Sequence, residues 1–101
     1  KIEIYQIEDT LDNASVIFRP SERVKNEEGR LPSRLYQKVY EFESTAPMDC
    51  EDVFVIFNLD RPADYSGRSV STSDVVALDG VPFFCEPVGW TIVEWEERNN
   101  A

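Results

Sequence analysis

Asp79-Gly80 stands between two short apolar runs, Val75–Leu78 and Val81–Cys85. A two-residue Asp-Gly connection accepts the left-handed backbone angles that let antiparallel strands keep their natural twist. The stretch DVVALDGVPFFCE is therefore predicted to be a β-hairpin, which commits this part of the chain to antiparallel pairing. Pro82 cannot donate to a ladder, so its strand is expected at a sheet edge or at a bulge.

The remaining elements follow from periodicity and punctuation. KIEIYQIE reads as a first strand, with Ile2 and Ile4 on one face and Ile7 joining them after a phase slip at Tyr5. VIFRP is short, apolar and stopped by Pro20. PSERVKNEEGR reads as a brief helix or an exposed loop near 20–28, and residues 22–34 are expected as a mobile loop. RLYQKVYEFE is the clearest strand: strict alternation puts Tyr36, Lys38, Tyr40 and Phe42 on one face, with Leu35, Gln37 and Val39 on the other. VFVIF has strand propensity, but the segment STAPMDCEDVFVIFNLD is predicted as a helix over about 49–58. Asp49 would cap it, Asp52 would meet the positive end of its dipole, and Cys50, Val53, Phe54 and Phe57 would line one face. EPVGWTIVEW supplies a turn and a last strand with Thr91, Val93 and Trp95 on one face. Residues 96–101 are a polar tail. The sum is an α+β single domain over residues 1–101, a small, mostly antiparallel sheet with one main helix packed on it.

Size and composition limit the chemistry. A chain of 101 residues holds one hydrophobic core. No apolar stretch approaches the ~20 residues of a bilayer span, and no basic segment followed by an apolar run marks a signal peptide. Cys50 and Cys85 are far apart and in no metal-binding spacing, so both are expected as reduced core thiols. Histidine is absent. That removes Ser–His and Cys–His nucleophile pairs, histidine proton shuttles and histidine-containing zinc sites. The acids of CED and EWEE offer close carboxylate pairs, but nothing fixes them across a cleft as glycoside hydrolysis needs. DRPADYSGRS carries Asp60 and Asp64, but arginines occupy positions where a calcium loop requires ligands. The hydroxyl-rich RPADYSGRSVSTSD lacks the GxxxxGK[ST] pattern of a phosphate loop. It reads instead as a turn begun by Pro62, with Gly67 supplying a backbone angle other residues avoid. Ser73 or Asp74 ties down the start of the following strand, and Arg61 and Arg68 pair with Asp60, Asp64 or Asp74. No cofactor is expected.

The net charge is −10, and it is unevenly spread. Residues 19–38 hold Arg19, Arg23, Lys25, Arg30, Arg34 and Lys38 against Glu22, Glu27 and Glu28, whereas residues 39–101 are strongly acidic. An acidic surface repels nucleic-acid phosphates and attracts a basic protein patch, although acid also simply keeps a domain soluble. The candidate contact residues are Asp49, Glu51 and Asp52 at the helix start and Asp60, Arg61, Asp64, Tyr65, Arg68 and Asp74 in the following loop. Glu94, Glu96 and Glu97 near the C-terminal end complete the set. Aromatic residues mix with basic ones only in RLYQKVY, so most are expected in the core.

The order of YQI, VYE, EDVFVIFN, RPADYSGRSVSTSDVV and VGW resembles the YodL-like domain family. These are small domains in bacterial proteins of conjugative elements, plasmids and phages, sometimes beside antirestriction-type domains. The resemblance spans about three quarters of the chain, is densest over residues 54–78 and does not extend to 21–33. It implies a strand-rich α+β fold and a cytoplasmic setting, and it carries no settled activity. With the acidic charge it points to a protein-binding module of a mobile element, acting on a basic protein surface such as a host nuclease or CRISPR effector by direct contact or DNA mimicry. The alternatives are an accessory nucleic-acid-binding domain using residues 19–38 and, third, a small enzyme that would need Arg61, Asp64, Arg68 and Asp74 in one deep pocket.

Overall fold

The hairpin forms at the expected turn. A computed structural model describes residues 1–96. In it Asp79 and Gly80 take φ of 50° and 85° and join β3 (Val75–Leu78) to β4 (Val81–Cys85). Three further strands, β1 (Ile2–Ile7), β2 (Tyr36–Phe42) and β5 (Trp90–Ile92), complete an antiparallel sheet in the order β2-β1-β3-β4-β5. Two helices, α1 (Ser21–Val24) and α2 (Cys50–Leu59), make the fold α+β as predicted.

Both faces of this sheet are covered, and that corrects two expectations. β1 has no phase slip: Ile2 and Ile4 pack with α2 while Ile7 packs on the opposite side, which is plain alternation in a strand buried on both faces. The irregularity lies on β2. Ile4 pairs with Tyr40 and Tyr5 with Lys38, so Val39 is an extra residue, a β-bulge. The bulge divides the aromatic row. Tyr40 and Phe42 join the helix side, whereas Tyr36 joins the other cluster.

On the helix side, Cys50, Val53 and Phe57 of α2 bury against Ile2, Ile4, Val76, Tyr65 and Val70. The helix begins where its chemistry dictates. Asp49 accepts from the Asp52 amide, and Asp52 accepts from the Asp49 amide, a closed capping box. Phe54 is half-buried and meets Trp90 edge-on at 6.4 Å.

The other face is covered by the excursion between β1 and β2. Ile17, Val24 and Leu31 cover Ile7, Val75 and Phe84, together with Val93. Leu31 donates its amide to the Glu94 carbonyl and accepts from the Glu96 amide, each at 2.8 Å. This continues the last strand's pattern beyond Ile92 as a short parallel pairing with Trp95. Within residues 22–34, then, Val24 and Leu31 are buried and the Glu27–Gly29 tip is exposed.

β4 is not an edge strand, contrary to expectation. It lies between β3 and β5, and Pro82 is tolerated because the β5 ladder ends at the pair Phe83–Ile92. Beyond that pair only the Pro82 carbonyl is used, accepting from the Val93 amide at 3.1 Å. Cys50 and Cys85 are both buried free thiols, pushed up by burial to about 11 and about 12. Among the described residues no helix is long and apolar enough to cross a membrane.

Replacing Asp49 by Ala removes the carboxylate that accepts from the Asp52 amide and leaves the other half of the capping box, the residue-49 amide donating to Asp52, in place. A loss of about 1 kcal/mol is expected, read as a lower urea midpoint with an unchanged denaturant slope.

Candidate functional site

The segment that follows α2 packs inward, and one strand residue organises it. Gln6, buried in β1, donates its amide to the Arg68 carbonyl (3.0 Å) and to Asp74 Oδ2 (3.1 Å), and its Oε1 accepts from the Arg68 amide (3.1 Å). The side chain thus pairs with the Arg68 backbone in both directions, much as a neighbouring strand would. Asp74 Oδ2 also accepts from the Ser71 amide at 2.8 Å. Its Oδ1 faces Arg68 Nη2 at 3.5 Å, an ion pair without a hydrogen bond. The backbone of Asp74 and Ser73 exchanges bonds with Cys85, which extends the β3–β4 pairing into the loop.

Two non-glycine residues in left-handed backbone conformations lie against each other here. Phe18 has φ 61° and Ser73 has φ 81°, each costing on the order of 1–2 kcal/mol for an L-residue. Ser73 Oγ accepts from the Phe18 amide at 3.0 Å, and the Tyr36 hydroxyl donates to the Ser73 carbonyl at 2.6 Å. The Arg68 guanidinium stands 5.4 Å from the Phe18 ring centre. Tertiary bonds from β2 and from the β1–β2 excursion hold the strained pair.

Tyr65 closes the hub from the helix side. Its ring meets Phe57 at 4.8 Å and Tyr40 at 5.5 Å, both edge-on, and its hydroxyl donates to the Arg68 carbonyl. Asn58 of α2 donates to the Val70 carbonyl at 3.1 Å, fixing the loop to the helix. The turn begun by Pro62 forms as predicted, the Tyr65 amide donating to the Pro62 carbonyl. Gly67 is required for a reason other than the expected one. Its backbone is not left-handed, but a Cβ there would lie 2.5 Å from the Tyr65 hydroxyl oxygen and 3.0 Å from Gln6 Oε1.

Burial sets the electrostatics. Asp74 is wholly inaccessible. Burial pushes its carboxyl up to about 7, against the Ser71 amide, Gln6 and Arg68, which favour the charged form. Burial, with Asp74 beside it, pushes Tyr65 up to about 12.

The predicted contact residues divide accordingly. Tyr65 and Asp74 are buried, so no partner can touch them, and Arg68 is partly buried over the hub. The exposed members mostly serve their own elements. Asp49 and Asp52 cap α2, Glu51 accepts from Trp90 Nε1 (2.8 Å), and Asp64 accepts from the Tyr40 hydroxyl (2.6 Å). Arg61 reaches the Gly67 carbonyl at 3.4 Å, and Asp60 ends α2 exposed. Glu94 pairs with Arg30 (3.4 Å) and Glu96 accepts from Asn26 (2.9 Å), away from α2 beside the Leu31–Trp95 pairing. Glu97 lies outside the described residues. Arg61, Asp64, Arg68 and Asp74 are not gathered into one pocket, since the first two turn outward to other partners.

The basic segment is not one open patch. Arg30 is paired with Glu94, and Lys38 with Glu41 and Glu3. Arg19, Arg23 and Arg34 are exposed. Sequence reasoning missed Gln6, Tyr36 and Phe18 as members of the hub. The available signal was a lone amide inside the apolar run of β1.

A model of the YodL-like domain family matches residues 1–95. The chain belongs to that family. No curated protein and no solved structure matches it. In this YodL-like domain the match takes in the 21–33 segment, which the sequence resemblance alone did not reach.

Two outcomes follow from the hub. Free aspartate titrates near 3.9, so between about pH 4 and pH 7 the folded domain keeps a proton on Asp74 that the unfolded chain has lost. This contribution is fully present near pH 4 and disappears as pH rises through about 7, an effect on the order of 2–4 kcal/mol. Urea midpoints measured across this range should show a downward slope for the wild type relative to Asp74→Asn; parallel curves would contradict it. Gly67→Ala should lower the midpoint by roughly 1–3 kcal/mol through the clash with Tyr65, and Gly67→Ala combined with Tyr65→Phe should recover part of it.

Proposed function

We propose that this YodL-like domain is an acidic protein-binding module of a mobile genetic element that engages a basic protein surface. The observation that supports it most directly is the balance of exposed charge. Lys1, Arg30, Lys38 and Arg68 are each paired with acids of the same domain. Glu8, Asp9 and Asp12 form an exposed run with no cation against them among the described residues, and Glu22, Glu27, Glu28 and Asp60 are exposed as well. Uncompensated carboxylate fields draw in basic partners and repel phosphate. The distinctive polar and aromatic residues of the 61–74 segment are meanwhile consumed within the fold, so its role is to shape the carrier.

The resemblance to mobile-element domains narrows the partner to a host defence nuclease, of restriction or CRISPR type, bound by protein contact or by carboxylates standing where DNA phosphates would lie. Catalysis is not part of this reading, and the setting is the cytoplasm where such nucleases act. The nucleic-acid alternative is weaker, because Arg30 and Lys38 are already neutralised by neighbours.

Affinity for a basic nuclease, measured by calorimetry between about 0.05 and about 0.5 M salt, should fall by tenfold or more as the charges are screened. Salt-insensitive or absent binding sinks the electrostatic mechanism. If instead a duplex oligonucleotide binds with a steep salt slope that Arg30, Arg34 and Lys38 neutralisation flattens, the nucleic-acid reading takes its place.

A further inference from the structure

We infer that the recess lined by Tyr5, Ser33, Tyr36, Trp95 and Glu96 receives one cationic side chain, an arginine or a lysine, from the partner protein; this rests on the acidic-module reading. The recess is about 280 Å³, just below the roughly 300–1,000 Å³ typical of ligand pockets. That suits a single extended side chain better than a nucleotide. Trp95 packs edge-on to Tyr5 (5.3 Å, 64°) and to Tyr36 (5.2 Å, 75°). Trp95 therefore stands at a steep angle to each tyrosine instead of stacking flat on it.

The charge around the rings selects the occupant. Glu96 lines the recess, and among the described residues its side-chain partner is Asn26, which donates to Oε2 at 2.9 Å. The Tyr5 hydroxyl donates to Glu3 Oε2 at 3.2 Å, which directs the phenol oxygen toward an acid. Two nearby cations are already committed, Lys38 to Glu3 and Glu41 and Arg30 to Glu94, while Arg34, next to Ser33, is exposed. A phosphate or a carboxylate entering here would meet Glu96, and a purely apolar chain would strip water from it without compensation. A guanidinium or ammonium meets aromatic rings and a carboxylate together, the combination that aromatic cages use for cations. The Tyr36 wall is held by its bond to the Ser73 carbonyl.

The test uses acetylated Gly-Gly-X-Gly-Gly amides with X as Arg, Lys, Gln or Leu, titrated into the isotope-labelled domain. The Arg and Lys peptides should shift the Trp95 and Tyr5 ring signals saturably, and the Gln and Leu peptides should not. Glu96→Gln should weaken the Arg peptide about threefold. Trp95→Leu should abolish the shifts while Trp95→Phe, which keeps an aromatic ring between Tyr5 and Tyr36, retains most of them. Equal shifts with Leu, or none with Arg and Lys, overturn the inference. A deca-arginine peptide separates the two levels. If it binds with shifts confined to Glu8, Asp9 and Asp12, the acidic module stands and the recess does not. If it fails to bind at low salt, the acidic-module reading falls and the inference that rests on it falls too.

Discussion

Gln6 is the point through which the fold is joined. It sits in β1, an interior strand hydrogen-bonded on both sides, and its amide satisfies the Arg68 backbone in both directions while holding Asp74. A buried polar side chain is costly unless every donor and acceptor finds a partner. Here the partners come from one loop, so the sheet can bury Gln6 only when residues 65–74 take their observed course. The glycine at 67, the hydroxyl of Tyr65 and the strained backbone of Ser73 all follow from that requirement. The loop is thereby part of the core, although its composition is that of a surface turn.

The second organising fact is that the sheet is buried on both faces by unequal means. On one side a capped ten-residue helix lays Cys50, Val53 and Phe57 on the strands. On the other, a largely irregular excursion contributes Ile17, Val24 and Leu31, with Val16 and Leu35 partly buried beside them, and it is tied down by the Leu31 pairing with Glu94 and Glu96. The sheet edges are correspondingly modest. β2 carries a bulge and the charged Lys38 and Glu41, and β5 is three residues long, both devices that discourage pairing with another strand. Recognition by strand addition is thus disfavoured, and side-chain chemistry on the surface is left to carry it.

That surface chemistry is dominated by carboxylates, with Lys1, Arg30, Lys38 and Arg68 paired internally and Arg19, Arg23 and Arg34 exposed. The aromatic recess beside Trp95 brings rings and an acid together on the face covered by the excursion, opposite α2. It also adjoins the acidic residues Glu94 and Glu96, which sequence reasoning placed among the contact residues on charge alone. The bulge at Val39 brought Tyr36 to that side, so the irregularity that protects the edge also supplies a wall of the recess.

What the sequence determined by itself was local. Asp79-Gly80 set the hairpin because few dipeptides tolerate two left-handed residues in succession, and Asp49 with Asp52 set the start of α2 because the cap bonds lie within three residues. The α+β class followed from these. The tertiary structure alone decided where β1 lies in the sheet, which side of it each aromatic faces, and that Tyr65 and Asp74 are interior while Asp64 and Arg61 are not. The physical reason is range. A bulge shows no signature in a strand that alternates perfectly, and a polar residue in a loop looks the same whether it meets water or an amide 68 positions away, as Asp74 meets Gln6. Only the folded chain supplies the partner that makes burial of such a group affordable.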